Sequence, residues 1–168
     1  MPAVKAWLQL ARPLQWVKNG FVLLPLLFGH ALLQADAVLA ALIATAAFCL
    51  ASSAVYAAND IVDAERDRRH PDKCMRPLAR GVILPRHARL FSFVLALAGL
   101  LLAWSVSPRV AAVIAAYLLL QVAYSGGLKR IAYVDVLIIA SGFALRIVAG
   151  GFAADVPLTR WIVVMGFL

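Results

Sequence analysis

The chain has 168 residues, 64% of them hydrophobic, with a mean hydropathy of +0.91 and a formal net charge of +8. A chain of this size and apolarity has too little polar surface for a soluble domain, so it reads as an integral membrane protein. The positive charge does not point to nucleic acid, because the basic residues lie between apolar runs and are explained by membrane topology.

Residues 3–11 read as a short interfacial helix, with Trp7 and Trp16 as headgroup-level anchors. The first span is expected over 18–34, kinked at Pro25. The second covers 37–58, where small residues such as Ser52 and Ser53 favour close helix packing. The third, fourth and fifth spans cover 87–106, 109–125 and 132–153. A sixth begins near Thr159 and is still running at Leu168, short of the ~20 residues needed to cross a bilayer. The expected fold is an all-α, polytopic transmembrane helix bundle with about five spans plus the start of a sixth. It is expected to form one domain over 1–168, incomplete at the C-terminus.

Lysine and arginine placement supports that layout. Of the 16 basic residues, 13 precede the first span or fall between spans two and three or four and five. The alternate loops carry only Arg109 and Arg160, and Arg146 lies inside a span. The positive-inside rule then puts the N-terminus and the loop after span two on the cytoplasmic side.

That loop opens on the most informative stretch of the chain. Five of the eight acidic residues fall between Asp60 and Asp72. Asp60, Asp63 and Asp67 are spaced i, i+3, i+7 and share one helix face, with Asn59 almost on it. Three adjacent carboxylates repel one another unless a cation sits among them. An all-oxygen set suits Mg²⁺, which bridges to substrate phosphates and eases departure of a diphosphate. The competing reading is a solvated loop with surface ion pairs. Lys73 and Arg76 flank prolines that stiffen the loop, and they are candidate phosphate contacts, arginine by bidentate hydrogen bonds. His70 reads as a structural hydrogen-bonder rather than a base.

Tyr124 and Ser125 close the fourth span, and Lys129 or Arg130 could reach a phosphate from across the mouth of the bundle. Asp135 and Arg146 lie 11 residues apart on one face of span five, ~16 Å apart in rise, and so cannot pair. Asp135, near the cytoplasmic mouth, could complete the polar site. Arg146 reads as a buried structural arginine capping carbonyls.

Asn59-Asp60-x-x-Asp63-x-x-x-Asp67, followed by Arg76-Pro77 and Gly81, resembles the first aspartate-rich motif of the UbiA-type prenyltransferase superfamily. Tyr124-Ser125-x-x-Leu128-Lys129 is similar to its tyrosine-lysine motif. Arg12-Pro13-x-Gln15-Trp16-x-Lys18-Asn19, the run from Asp67 to Pro77, and Arg146-Ile147-x-Ala149-Gly150-Gly151 resemble the decaprenyl-phosphate phosphoribosyltransferase branch. The resemblance implies a nine-helix intramembrane transferase with its site near the cytoplasmic face of a bacterial inner membrane. It implies Mg²⁺ as cofactor and transfer of 5-phosphoribosyl from phosphoribosyl pyrophosphate to a polyprenyl phosphate. Asp60, Asp63 and Asp67 become catalytic, metal and diphosphate residues. Asn59 becomes a supporting residue and Lys73, Arg76, Tyr124 and Lys129 phosphate contacts, and Asp135 and Lys18 are counted with them as the expected substrate-binding set. The partners are a polyprenyl phosphate, a diphosphate substrate and membrane lipids, with no nucleic acid. Cys74 stands where that branch carries a basic residue, and the superfamily's second polar motif would lie beyond Leu168. The alternatives are prenyl transfer from a diphosphate to an aromatic acceptor, a membrane transporter, and an inactive fragment.

Overall fold

A computed structural model describes residues 3–126 and 133–167. The regular secondary structure of the described residues is all helical. Helix α1 (Ala3–Ala11) is followed by a 3₁₀ segment (Pro13–Leu23) and a short α2 (Leu24–Phe28). Then come α3 (Ala35–Arg68), α4 (Pro85–Val106), α5 (Pro108–Gly126), α6 (Val134–Ala154) and α7 (Arg160–Phe167). Four of them, α3 to α6, are long and apolar enough to cross a membrane. The interfacial helix and the second to fifth expected spans therefore match the structure closely, and α7 starts where the sixth was expected.

The first expected span is corrected. It is not one kinked α-helix but a 3₁₀ segment that becomes α only at Leu24. Proline chemistry accounts for the boundary. In an α-helix the Phe21 carbonyl would accept from residue 25, but Pro25 has no N–H. Phe21 accepts the backbone N–H of Leu24 instead, a 3₁₀ bond. The stretched geometry has a consequence for length. With about 2.0 Å of rise per 3₁₀ residue and 1.5 Å per α residue, Pro13–Phe28 spans about 30 Å, the thickness of a bilayer core.

Small residues let the bundle close. Buried Ala37, Ala41, Ala44, Ala47, Ala51 and Ala54 run along one face of α3. A methyl group on Gly99 of α4 would lie 3.0 Å from the Ala47 carbonyl oxygen, so the two backbones nearly touch. Gly150 of α6 is tighter still, since a Cβ there would lie 1.9 Å from the Val22 carbonyl oxygen. Only glycine admits the 3₁₀ segment that close. Leu90, Phe93, Val94, Leu97, Leu101 and Trp104 project outward from α4, as expected of a lipid-facing side.

Helix α3 sets the position of the acidic motif. Its 34 residues rise about 51 Å, well beyond the ~30 Å hydrocarbon core, so its C-terminal turns extend past the apolar layer. Beneath them lies a small core of Ala6, Leu10, Ala57, Leu78, Ile83 and Ala88, with the tilted rings of Trp7 and Phe91 centred 4.9 Å apart. Leu78 and Ile83 come from the loop after α3, so this core fixes the loop over the end of the helix. Gly81 turns that loop with a φ of 72°, a conformation other residues adopt only under strain.

Candidate functional site

Asp60 and Asp67 lie two turns apart on the buried face of α3, 2% and 3% exposed. Carboxylates so buried require charged partners. Arg76, carried in by the loop, supplies one: its Nη1 donates to Asp67 Oδ2 at 2.7 Å and to Asp60 Oδ1 at 3.2 Å. Arg12 Nη2 donates to the same Asp60 oxygen, and its guanidinium lies 5.3 Å from the centre of the Tyr56 ring. Asp63 is half-buried on the intervening turn. Gln9, Arg12, Asp60, Asp72, Met75, Arg76 and Pro77 line a cleft of about 250 Å³.

The loop that delivers Arg76 is held by its own polar groups. His70 Nδ1 accepts the backbone N–H groups of Asp72 (3.2 Å) and Lys73 (3.4 Å), and Cys74 Sγ donates to the Pro71 carbonyl at 3.1 Å. His70 is thus the structural residue its sequence context implied. A 3₁₀ turn at Lys73–Met75 leads into Arg76. Glu65 makes surface pairs with Arg68 (2.7 Å) and Arg69 (3.6 Å), so the solvated-loop reading holds for that side of the helix.

The other expected site residues are dispersed. Asn59 Oδ1 accepts from the Ser125 hydroxyl, which ties α3 to the end of α5 beside half-buried Tyr124. Lys73 and Lys18 are exposed, on the loop and on the 3₁₀ segment. Asp135, in the first turn of α6, accepts the backbone N–H of Val136 at 2.8 Å. Lys129 lies outside the described residues. Among the described residues no three His, Cys, Asp or Glu side chains gather closely enough to hold a metal ion. Asp60, Asp63 and Asp67 share a helix face, but two of them are turned to arginine.

Arg12 was absent from the expected site set, where it counted only toward topology and a motif. Its signal was present in the sequence, since Arg12-Pro13 places a charged residue in a backbone position that proline restricts. Arg12 adopts the left-handed conformation (φ 52°, ψ 59°), the kind of local strain of order 1–3 kcal/mol that clusters at functional sites. From there the 3₁₀ segment is fastened to α3 one contact after another. Trp16 Nε1 donates to Ser53 Oγ at 2.9 Å, and Asn19 Nδ2 donates to Ser52 Oγ at 3.2 Å. Deeper in the bundle, Arg146 Nε donates to Asn19 Oδ1 and its Nη1 to the Gly142 carbonyl, both at 2.8 Å. Phe48, Tyr117 and Phe143 surround that guanidinium at 5.1–5.6 Å. Arg146 is the carbonyl-capping residue expected.

Residues 22–168 match the UbiA prenyltransferase family, and that match covers most of the chain. The chain belongs to the UbiA prenyltransferase family. It is 41% identical over 169 residues to the decaprenyl-phosphate phosphoribosyltransferase of Mycolicibacterium smegmatis, covering 98% of this chain and 53% of that one. It is 39% identical over 154 residues to the Corynebacterium glutamicum enzyme of the same name, covering 89% and 46%. The chain spans about half the length of the curated relatives it matches. Among solved structures, a UbiA homologue from Archaeoglobus fulgidus bound to DMAPP and Mg²⁺ superposes with a TM-score of 0.83 at 21% identity, over 96% of this chain and 58% of that one. A likeness at that identity establishes the UbiA fold. Family membership and the apolar helices together make this an integral membrane protein.

Proposed function

We propose that this UbiA-family chain belongs to a polyprenyl-phosphate phosphoribosyltransferase. The reaction moves 5-phosphoribosyl from phosphoribosyl pyrophosphate to a polyprenyl phosphate at the cytoplasmic face. The observation that carries this reading is the 41% identity to an enzyme named for that reaction, sustained over 98% of the chain. The acidic cleft supports it chemically, because Arg12 and Arg76 at its wall are the right groups to grip diphosphate oxygens.

The bond that forms joins an acceptor phosphate oxygen to the anomeric carbon, and the bond that breaks releases diphosphate. The acceptor is a phosphate monoester, already anionic at neutral pH, so no side chain need remove a proton. Among the described residues no histidine lines the cleft, and His70 is engaged in holding the loop. The roles left to the protein are to bind diphosphate, orient the ribosyl carbon and hold the acceptor phosphate in line. Asp60 fixes Arg12 and Arg76 at the cleft wall, and Asn59 with Ser125 holds α5 against the site.

Mg²⁺ belongs to this proposal as cofactor, with Asp60, Asp63 and Asp67 as its carboxylates. Their oxygen chemistry suits that ion. Their arrangement does not, because no three such groups gather among the described residues and arginine holds two of them.

The test is substrate consumption. Membranes carrying the full-length protein receive phosphoribosyl pyrophosphate with and without polyprenyl phosphate. Consumption that depends on the lipid supports the reading. Membranes that leave phosphoribosyl pyrophosphate untouched, yet release diphosphate from a prenyl diphosphate, would overturn it in favour of prenyl transfer.

A further inference from the structure

The Arg12 backbone N–H donates to the Leu8 carbonyl at 3.0 Å, so Arg12 is the residue on which α1 closes, and it closes in the left-handed conformation. Helices commonly end in that conformation, but on glycine, because a Cβ makes the left-handed turn unfavourable. Here an arginine fills the slot, and its guanidinium lines the acidic cleft. A turn that disfavours its own side chain persists only where the surrounding structure holds it.

One face of α3 supplies the hold. Ser53, Tyr56 and Asp60 are spaced i, i+3, i+7 and lie one above another along that helix. Asp60 accepts from the Arg12 guanidinium, and the Tyr56 ring centre lies 5.3 Å from it. Ser53 acts at the other end of the residue. Its hydroxyl donates to the Ala11 carbonyl at 2.8 Å and accepts from Trp16 Nε1 at 2.9 Å. That carbonyl is one of those a helix C-terminus leaves without an intrahelical donor, and it belongs to the peptide that leads into Arg12. A single buried hydroxyl, on a residue 1% exposed, thus grips the chain just before the left-handed turn and just after it. Its donor and acceptor capacity are both engaged there.

We propose that Ser53 is a positioning residue, whose hydroxyl holds the left-handed turn that aims the Arg12 guanidinium into the acidic cleft. The proposal rests on diphosphate as the ligand of that cleft, not on which group is transferred from it. Asp60 fixes the tip of Arg12 and Ser53 fixes its root, from points about 10 Å apart along one rigid helix. Without the hydroxyl, the Ala11 carbonyl and the Trp16 indole lose their shared partner and the turn relaxes. The root of Arg12 then moves while Asp60 stays in place, and the guanidinium no longer meets diphosphate in the same geometry.

The test is calorimetric titration of inorganic pyrophosphate into the full-length protein in lipid nanodiscs, in one Mg²⁺-containing buffer throughout. Ser52 supplies the control. It is as buried as Ser53 and also accepts from the 3₁₀ segment, but its bonds go to Asn19 and the Cys49 carbonyl and not to the Arg12 turn. Ser53→Ala should bind pyrophosphate about tenfold more weakly than the parent, the scale of one hydrogen-bonded contact, and Ser52→Ala should keep the parental affinity. Steady-state kinetics should show the same selectivity. Ser53→Ala raises KM for phosphoribosyl pyrophosphate by about tenfold and leaves KM for polyprenyl phosphate unchanged. Trp16→Phe removes one of the two Ser53 bonds and should also weaken pyrophosphate binding, which keeps the test open if Ser53→Ala does not fold. Parental affinity in Ser53→Ala or in Trp16→Phe overturns the inference. So do equal losses in Ser53→Ala and Ser52→Ala, the result expected of a serine that serves packing alone. A parent that binds no pyrophosphate overturns the inference together with the diphosphate reading. A protein that shows the split but leaves phosphoribosyl pyrophosphate unconsumed refutes the proposed reaction alone.

Discussion

Replacing Gly150 with alanine tests the link between the 3₁₀ segment and the helix bundle. The new Cβ would lie 1.9 Å from the Val22 carbonyl oxygen and 2.8 Å from its carbon. Atoms do not approach that closely, so the backbones of α6 and the 3₁₀ segment must part by about 1 Å, in a contact with no flexible side chain to yield. Overpacking costs about 1–3 kcal/mol, and a backbone-on-backbone clash belongs at the upper end. Separation at Val22 also pulls Asn19, one 3₁₀ turn earlier, away from Arg146. At about 3 kcal/mol the melting temperature of a full-length protein about twice the length of this chain should fall by roughly 3–6 °C. The assay is thermal unfolding of detergent-solubilised full-length protein, followed by the loss of its monodisperse chromatographic peak. Gly20→Ala is the control, because a Cβ at Gly20 meets nothing within 4 Å on the same segment. A Gly150→Ala protein as stable as the parent, or an equal loss in Gly20→Ala, would refute the close-approach argument.

Two further outcomes follow from the polar contacts. Arg146→Met removes the donor to Asn19 Oδ1 in a buried setting and should destabilise by about 2–3 kcal/mol. Adding Asn19→Leu removes the stranded acceptor too, so the double variant should be more stable than the sum of the two single losses implies, as read by the same thermal assay. His70→Asn should leave the pH profile of phosphoribosyl transfer unchanged, because His70 serves the loop backbone and not the reacting atoms. A shifted limb in that profile would reassign His70 to the chemistry.

How much of this was legible in the sequence depended on the range of the interactions. Helices α3 to α6 follow from apolar runs bounded by charge, a local pattern, and their ends fall within a few residues of expectation apart from the C-terminus of α3. The polar turns beyond residue 58 belong to that same helix, so Asp60, Asp63 and Asp67 do share a face at their i, i+3, i+7 spacing. The first span failed because hydropathy counts residues and not hydrogen bonds. Pro25 removes the donor that Phe21 needs, and the 3₁₀ alternative covers the same thickness with fewer residues. The acidic motif was legible as a set but not in its pairing. Arg12 and Asp60 are 48 positions apart, and only the packing of the 3₁₀ segment on α3 brings them together. Arg76 was found because Pro77 marked a rigid loop next to the acids. Lys18 and Lys73 carried a similar signal but stand exposed, because a cation near a membrane surface also serves topology.

The central claim is that the cleft around Asp60 performs phosphoribosyl transfer. The most direct measurement compares membranes carrying the full-length parent with membranes carrying Asp60→Asn, each given phosphoribosyl pyrophosphate, polyprenyl phosphate and Mg²⁺. Mass spectrometry of the extracted lipid reads the product. The account predicts a polyprenyl-phosphate-linked phosphoribose in the parent and a loss of about 100-fold or more in the variant, the scale seen when one preorganised electrostatic contact is removed. Product formed at the parental rate by an Asp60→Asn protein present at the parental level would contradict it.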